Sequence, residues 1–181
     1  DTIGGELRQD ILGIKYKVAG ELLYTSMPQI SVGAQFKKNR DFALPAAVGA
    51  GVDSGYELYV AASKVFFDAI AGRNLLLNAT IRATKANQTG LLGFGSATDD
   101  QYQLVFEGSA AVLFNYNLAL GIEFKQKPNQ LAFANEQHWR DIFVAWFVNK
   151  QLSLVAGYAD LGSIAGLDQQ QGYYLSVEGA W

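Results

Sequence analysis

Nine separate stretches of this 181-residue chain place large apolar residues at every second position, with small, polar or charged residues between them. Successive side chains of an extended strand point to opposite faces, so a period of two describes strands with one apolar and one polar face. LGIKYKV sets Leu12, Ile14, Tyr16 and Val18 against Gly13, Lys15 and Lys17. QISVGAQFK sets Ile30, Val32, Ala34 and Phe36 against Gln29, Ser31, Gln35 and Lys37. LLLNATIRATK opposes Leu75, Leu77, Ala79 and Ile81 to Asn78, Thr80, Arg82 and Thr84. YQLVFEGSAAVLF and LALGIEFKQK repeat the pattern, with Glu107, Glu123 and Lys125 on their polar faces.

The remaining four stretches are less regular. GYELYVAASKVFF alternates as far as Ala62 and then blurs, which suggests a β-bulge. LSLVAGYADL carries Leu152, Leu154, Ala156 and Tyr158 on one face. HWRDIFVAWFV is apolar on both faces between Ile142 and Val148, so its orientation stays open. GYYLSVEGAW closes the chain, with Tyr173, Leu175, Val177, Gly179 and Trp181 in one row.

In a soluble sandwich the apolar faces meet in a core, and large aromatics mostly lie in mid-strand. Here the aromatics of the apolar face gather at strand ends, as with Tyr102 and Phe114 or Tyr173 and Trp181. Aromatics at both rims are the girdles of a transmembrane barrel, and a closed barrel is the one sheet that satisfies its backbone in lipid. Most stretches have about the 9 to 11 residues that a tilted strand needs to cross a bilayer. The connections alternate as well. Those after Phe114 and Val148 are tight, DAIAGRN and AGELLYTS are intermediate, and those after Lys37, Lys85, Lys127 and Leu161 are long, matching short periplasmic turns and long external loops.

The expected fold is therefore all-β, a transmembrane antiparallel up-and-down β-barrel in one domain, 1–181, in the outer membrane of a Gram-negative bacterium. If the last strand ends in the periplasm, the first of nine begins outside. An even-stranded barrel then needs a further strand, so the chain is expected to be the C-terminal portion of a barrel of about ten or twelve strands.

Composition closes off other classes. Formal net charge is −3 with no run of Lys and Arg, so no nucleic-acid partner is expected. There is no cysteine, which excludes disulfides and thiolate metal sites. No apolar run reaches the roughly 20 residues of a membrane helix, and DTIGGELRQD lacks the basic start and apolar core of a signal peptide.

The C-terminal row resembles the assembly signal of outer-membrane proteins, in which a terminal aromatic follows alternating apolar positions. That resemblance implies a partner in the barrel assembly machinery, with Tyr173, Leu175, Val177, Gly179 and Trp181 as the signal. MPQISVGAQFKKN, RATKANQTGLLGFG, HWRDIFVAWFVNKQLSLVAGYADLGSI and GYYLSVEGAW together resemble the bacterial family catalogued as domain of unknown function 3034. The resemblance runs from about Arg8 onward, departs at Val148 where WFPNK would be expected, and implies no established activity.

Catalysis finds little support. His138 is the one histidine, and Ser96 and Ser163 on neighbouring loops supply a hydroxyl without any nucleophile motif, so no enzymatic activity is expected. Asp99 and Asp100 are too few for a calcium site, and neither metal nor cofactor is expected. The inward face is the better candidate. Lys15, Lys17, Lys37, Arg82 and Lys125 against Glu57, Glu107, Glu123 and Glu178 are nearly balanced, which suggests cross-lumen ion pairs more than a single-sign ring.

The expected function is a narrow channel or uptake pore for small polar or amphipathic solutes, surrounded by outer-membrane lipid or lipopolysaccharide. The alternative is a structural barrel whose loops dock an envelope protein through Phe42, Leu44, Leu91, Leu92 and Phe94. A membrane-embedded lipid-active enzyme is the third.

Overall fold

A computed structural model describes residues 7–131, 137–164 and 166–179. Each of the nine stretches is a strand of one antiparallel sheet. In chain order these are β1 (Gln9–Ala19), β2 (Gln29–Asn39), β4 (Ser54–Ile70), β5 (Arg73–Thr84), β7 (Gln103–Leu113), β8 (Leu118–Lys125), β9 (Trp139–Phe147), β10 (Leu152–Ile164) and β11 (Leu167–Gly179). Every strand pairs with its predecessor and successor in the sheet, an up-and-down meander. Among the described residues β1 and β11 are its two edges, so the closure expected from the sequence is not seen.

Two short strands form a second sheet in the long loops: β3 (Ala50–Val52) pairs with β6 (Phe94–Ser96). Among the described residues the helical content is one turn, α1 (Ala43–Ala47), and a 3₁₀ turn over Asn87–Gly90. None of these small elements was visible in the alternation. They are too short to carry a period, and they form because one loop packs on another.

The sheet is inside out relative to a soluble one. The face shared by Ile14, Leu58, Ile81, Leu104, Ile122, Ile142 and Leu175 is solvent-accessible throughout, with Leu104 at 76% and Leu175 at 74%. The opposite face buries Ser31, Lys37, Glu57, Thr80 and Thr84. Soluble folds bury the reverse set.

On the apolar face, Phe36 with Tyr56, Phe106 with Phe124, and Tyr158 with Tyr173 stack toward the long-loop end. Tyr16, Phe66, Phe114 and Trp146 stand toward the other end, with aliphatic side chains between the two sets.

Register settles the orientation left open for β9. Ile142, Val144 and Trp146 pair with Ile122, Leu120 and Leu118 on the apolar face, and Phe143 and Ala145 point to the polar one. Phe143 is tolerated there because it lies over a glycine. A Cβ at Gly121 would stand 2.3 Å from the Phe143 Cζ, and Gly33 under Tyr59 and Gly157 under Tyr174 repeat the device.

Two expected connections differ. The irregularity of β4 is a bulge at Asp68 (φ 52°), after which the hairpin turns at Ala71 and Gly72, both with positive φ as a type I′ turn requires. The intermediate loop DAIAGRN is thus mostly hairpin. The long loop expected after Leu161 is also largely strand, since β10 runs to Ile164 and β11 starts at Leu167, with shifts of register on either side of Gly162. Polar residues there alternate too weakly with apolar ones to signal a strand.

Candidate functional site

The charged residues of the polar face assemble because the register places them on neighbouring strands. Gln35 stands opposite Glu57, Glu57 next to the Arg82 diagonal, Thr80 opposite Glu107, and Glu107 opposite Lys125. The result is a ladder of alternating sign across β2, β4, β5, β7 and β8. Lys37 Nζ lies 2.8 Å from Glu57 Oε2, which also accepts from Arg82 Nη1 at 3.0 Å. Arg82 Nε and Nη2 donate to the two Glu107 oxygens at 2.8 and 3.1 Å, a bidentate pair, and Lys125 Nζ reaches Glu107 at 3.3 Å.

Further contacts hold this ladder in one arrangement. Thr84 Oγ1 donates to Glu57 Oε1 at 2.6 Å, Arg82 Nη1 donates to Gln35 Oε1 at 3.1 Å, and the Arg82 guanidinium lies 4.7 Å from the centre of the Tyr59 ring. The Glu57 side chain is 2% exposed and that of Lys37 7%. At such burial a charge is tolerated only when paired and hydrogen-bonded, and here every one is.

Of the nine residues expected to line a lumen, five therefore form this ladder: Lys37, Glu57, Arg82, Glu107 and Lys125. Lys37 and Glu57 are its most deeply buried members. Burial comes from the loop above them, which strand periodicity does not reveal. Lys15 and Lys17 on β1 and Glu178 on β11 are exposed on the same face near the two edges.

Glu123 stands opposite Asp141, two acids side by side. They line a cavity of about 230 Å³ with Thr80, Glu107, Ser109 and Trp139. Trp139 Nε1 and Asp141 Oδ1 are buried there without a hydrogen-bond partner. Asp141 and Trp139 were not anticipated as site residues, because β9 could not be oriented from its sequence.

The long-loop end is covered. The 3₁₀ turn at Asn87–Gly90 is folded against the polar face, where Lys37 Nζ donates to the Thr89 carbonyl at 3.0 Å and Asn39 Nδ2 donates to those of Gly90 and Leu91 at 2.9 and 3.2 Å. On its other side Lys127 Nζ donates to Gln88 Oε1 at 3.3 Å and to the Leu161 carbonyl of β10 at 2.8 Å. A bidentate pair between Arg40 and Asp10, each more than half exposed, marks the rim, and its hydrogen bonds hold the Arg40 guanidinium above its ordinary pKa.

The loop residues expected to dock a partner divide. Phe94 and Leu92 are buried, whereas Leu44 and Leu91 are exposed and Phe42 half-buried. Phe94 packs on Gly55, where a Cβ would come within 2.5 Å of its ring. Two of the five expected contacts are thus interior to the loops. Of the C-terminal row, Tyr173, Leu175, Val177 and Gly179 lie exposed on β11, and Trp181 is outside the described residues. His138 makes an edge contact with Phe124 at 5.6 Å, and the hydroxyl of Ser163 donates to Asp168 at 2.6 Å. The Ser96 hydroxyl is engaged with Thr98 and the Asp99 carbonyl, while Asp100 pairs with Lys85. Among the described residues no acid or histidine cluster suits a metal ion.

Residues 1–178 match the family described as a protein of unknown function, DUF3034. The chain belongs to that family. The match extends the resemblance noted in the sequence to residue 1 and ends at residue 178, within its last segment. No curated protein and no solved structure matches the DUF3034 chain.

Proposed function

We propose that this DUF3034 protein is an outer-membrane β-barrel that passes small polar or amphipathic solutes through a narrow, charged interior. The inside-out sheet carries the proposal. Aliphatic side chains stand exposed across one whole face between two aromatic belts, while Lys37 and Glu57 are buried on the other. Water penalises that arrangement and hydrocarbon favours it.

Hydrocarbon also requires closure, since each unpaired backbone group costs several kcal/mol in the bilayer core. In a meander of nine antiparallel strands, β1 and β11 run in the same direction. An odd number of further strands between them keeps every pair antiparallel, which fits the expected ten or twelve. The ladder then becomes a girdle at the long-loop end, and Lys15, Lys17 and Glu178 face the wider part of the lumen.

Conductance of the protein in a planar bilayer tests the proposal. Discrete openings are expected, with an ion preference shifted toward cations by Lys15→Glu and Lys17→Glu, two exposed positions outside the ladder. A protein that inserts and resists heat in gel electrophoresis, yet passes no current under any voltage, would overturn the channel and leave a structural barrel.

A further inference from the structure

The segment Asn87–Gly93 combines four properties that a fixed rim loop does not need together. It is largely buried, with Asn87 fully inaccessible and Gln88 at 9%, and Leu91 alone of its side chains exposed. It spans the polar face, tied to β2 through Lys37 and Asn39 and to β10 through Lys127. Gln88 (φ 47°, ψ 54°) and Thr89 (φ 61°, ψ 14°) both hold left-handed backbone, which is costly for any residue but glycine and a marked outlier for β-branched threonine. Asn87 Oδ1 and Gln88 Nε2 are buried without hydrogen-bond partners. Release into water would relieve the strain and hydrate both atoms.

Where the segment lies, the interior is filled. The space bounded by Thr89, Glu57, Arg82, Glu107 and Lys125 amounts to about 10 Å³, at most one water molecule. Beyond Glu107 the same face opens into the cavity lined by Ser109 and Asp141. The closure is thus local, and among the described residues this segment makes it together with Lys127 and Pro128, which line the same space.

We infer that residues 87–93 form a displaceable strap that shuts the long-loop end of the interior, and that its release opens the way to the cavity beside Ser109. This deepens the channel proposed above and rests on the same closed sheet. The anchors are side chains of the wall holding carbonyl oxygens of the strap, so detachment breaks few bonds and leaves the ladder intact. Asn39 is the anchor best suited to mutation, because both of its Nδ2 contacts go to the strap and it carries no charge.

The chain has no cysteine, so one introduced thiol reports without interference. Ser109→Cys in the full-length protein, embedded in vesicles with the long loops outward, is exposed to a membrane-impermeant maleimide. Slow labelling is expected, accelerated about tenfold by Asn39→Leu, the factor carried by one or two buried hydrogen bonds, and more by replacing residues 87–93 with a glycine-serine linker. Heat-resistant migration confirms that each variant is folded, and Asn39→Leu remains informative should the replacement fail to insert. Labelling that is already fast with the strap in place, or unchanged in folded Asn39→Leu and strap-less protein, would overturn the inference. Faster labelling in protein that passes no current supports the strap while refuting the channel. Current that is identical with and without the strap refutes the strap and keeps the channel.

Discussion

Glu57→Gln is the most demanding perturbation of this interior. The glutamine keeps the shape of the side chain and can still accept from Thr84, but it withdraws the negative charge shared by Lys37 and Arg82. Arg82 retains its bidentate pair with Glu107, so the loss falls chiefly on Lys37, which keeps its hydrogen bond to the neutral carbonyl of Thr89. Breaking a buried pair from one side costs about 3–5 kcal/mol, and retention of the amide's hydrogen bonding puts the expected loss near the lower end, about 3 kcal/mol. Lys37→Met in the same background removes the stranded charge and should recover most of that loss, so the two substitutions couple by about 2 kcal/mol. Urea unfolding of the protein in lipid vesicles, followed by tryptophan fluorescence and analysed as a double-mutant cycle, measures both quantities. A loss below about 0.5 kcal/mol, the range of ordinary surface substitutions, would show that water screens Glu57 and that the ladder is not buried.

Three other outcomes follow from specific positions. Ile122→Arg, in the aliphatic band between Ala110 and Ile142, should cost about 2–4 kcal/mol of stability in a bilayer, against almost nothing for a sheet facing water; equal stability of variant and parent in vesicles contradicts the membrane reading. Gly121→Ala forces the Phe143 ring away from a Cβ 2.3 Å from its Cζ and 3.0 Å from the Ala110 carbonyl, and should lower stability by about 1–3 kcal/mol; Phe143→Leu in the same chain should restore part of it, as read by the same unfolding assay. Ala71→Asn gives the β4–β5 turn an Asn-Gly pair suited to its two positive φ values, and should raise stability by about 0.5 kcal/mol, whereas a decrease would show that this turn is not type I′.

The strands were legible because alternation is a local property. Apolar residues at every second position of LALGIEFK specify an extended segment with two unlike faces whatever it packs against, and the register confirms that partition for all the regular stretches. Where the local signal failed, it failed for physical reasons. β9 is apolar on both sides because Phe143 rests over Gly121, a cross-strand match that no single segment carries. The tip of the β10–β11 hairpin reads as a loop in the sequence because its polar residues give it no apolar face.

What sequence alone determined, then, is the unit of construction: nine amphipathic strands, few charges, and a balance of Lys and Arg with Glu on the polar side. Only the tertiary structure decided which of those charges meet. Lys37 and Glu57 are distant in sequence and become buried partners through the β2–β4 register, while the strap at 87–93 seals them in. Leu92 and Phe94, which look like exposed docking residues in isolation, turn inward because β6 joins the loop that carries them to β3 in the loop after β2. Burial depends on what other parts of the chain bring to a residue, and periodicity, being a statement about neighbours in sequence, contains none of that information.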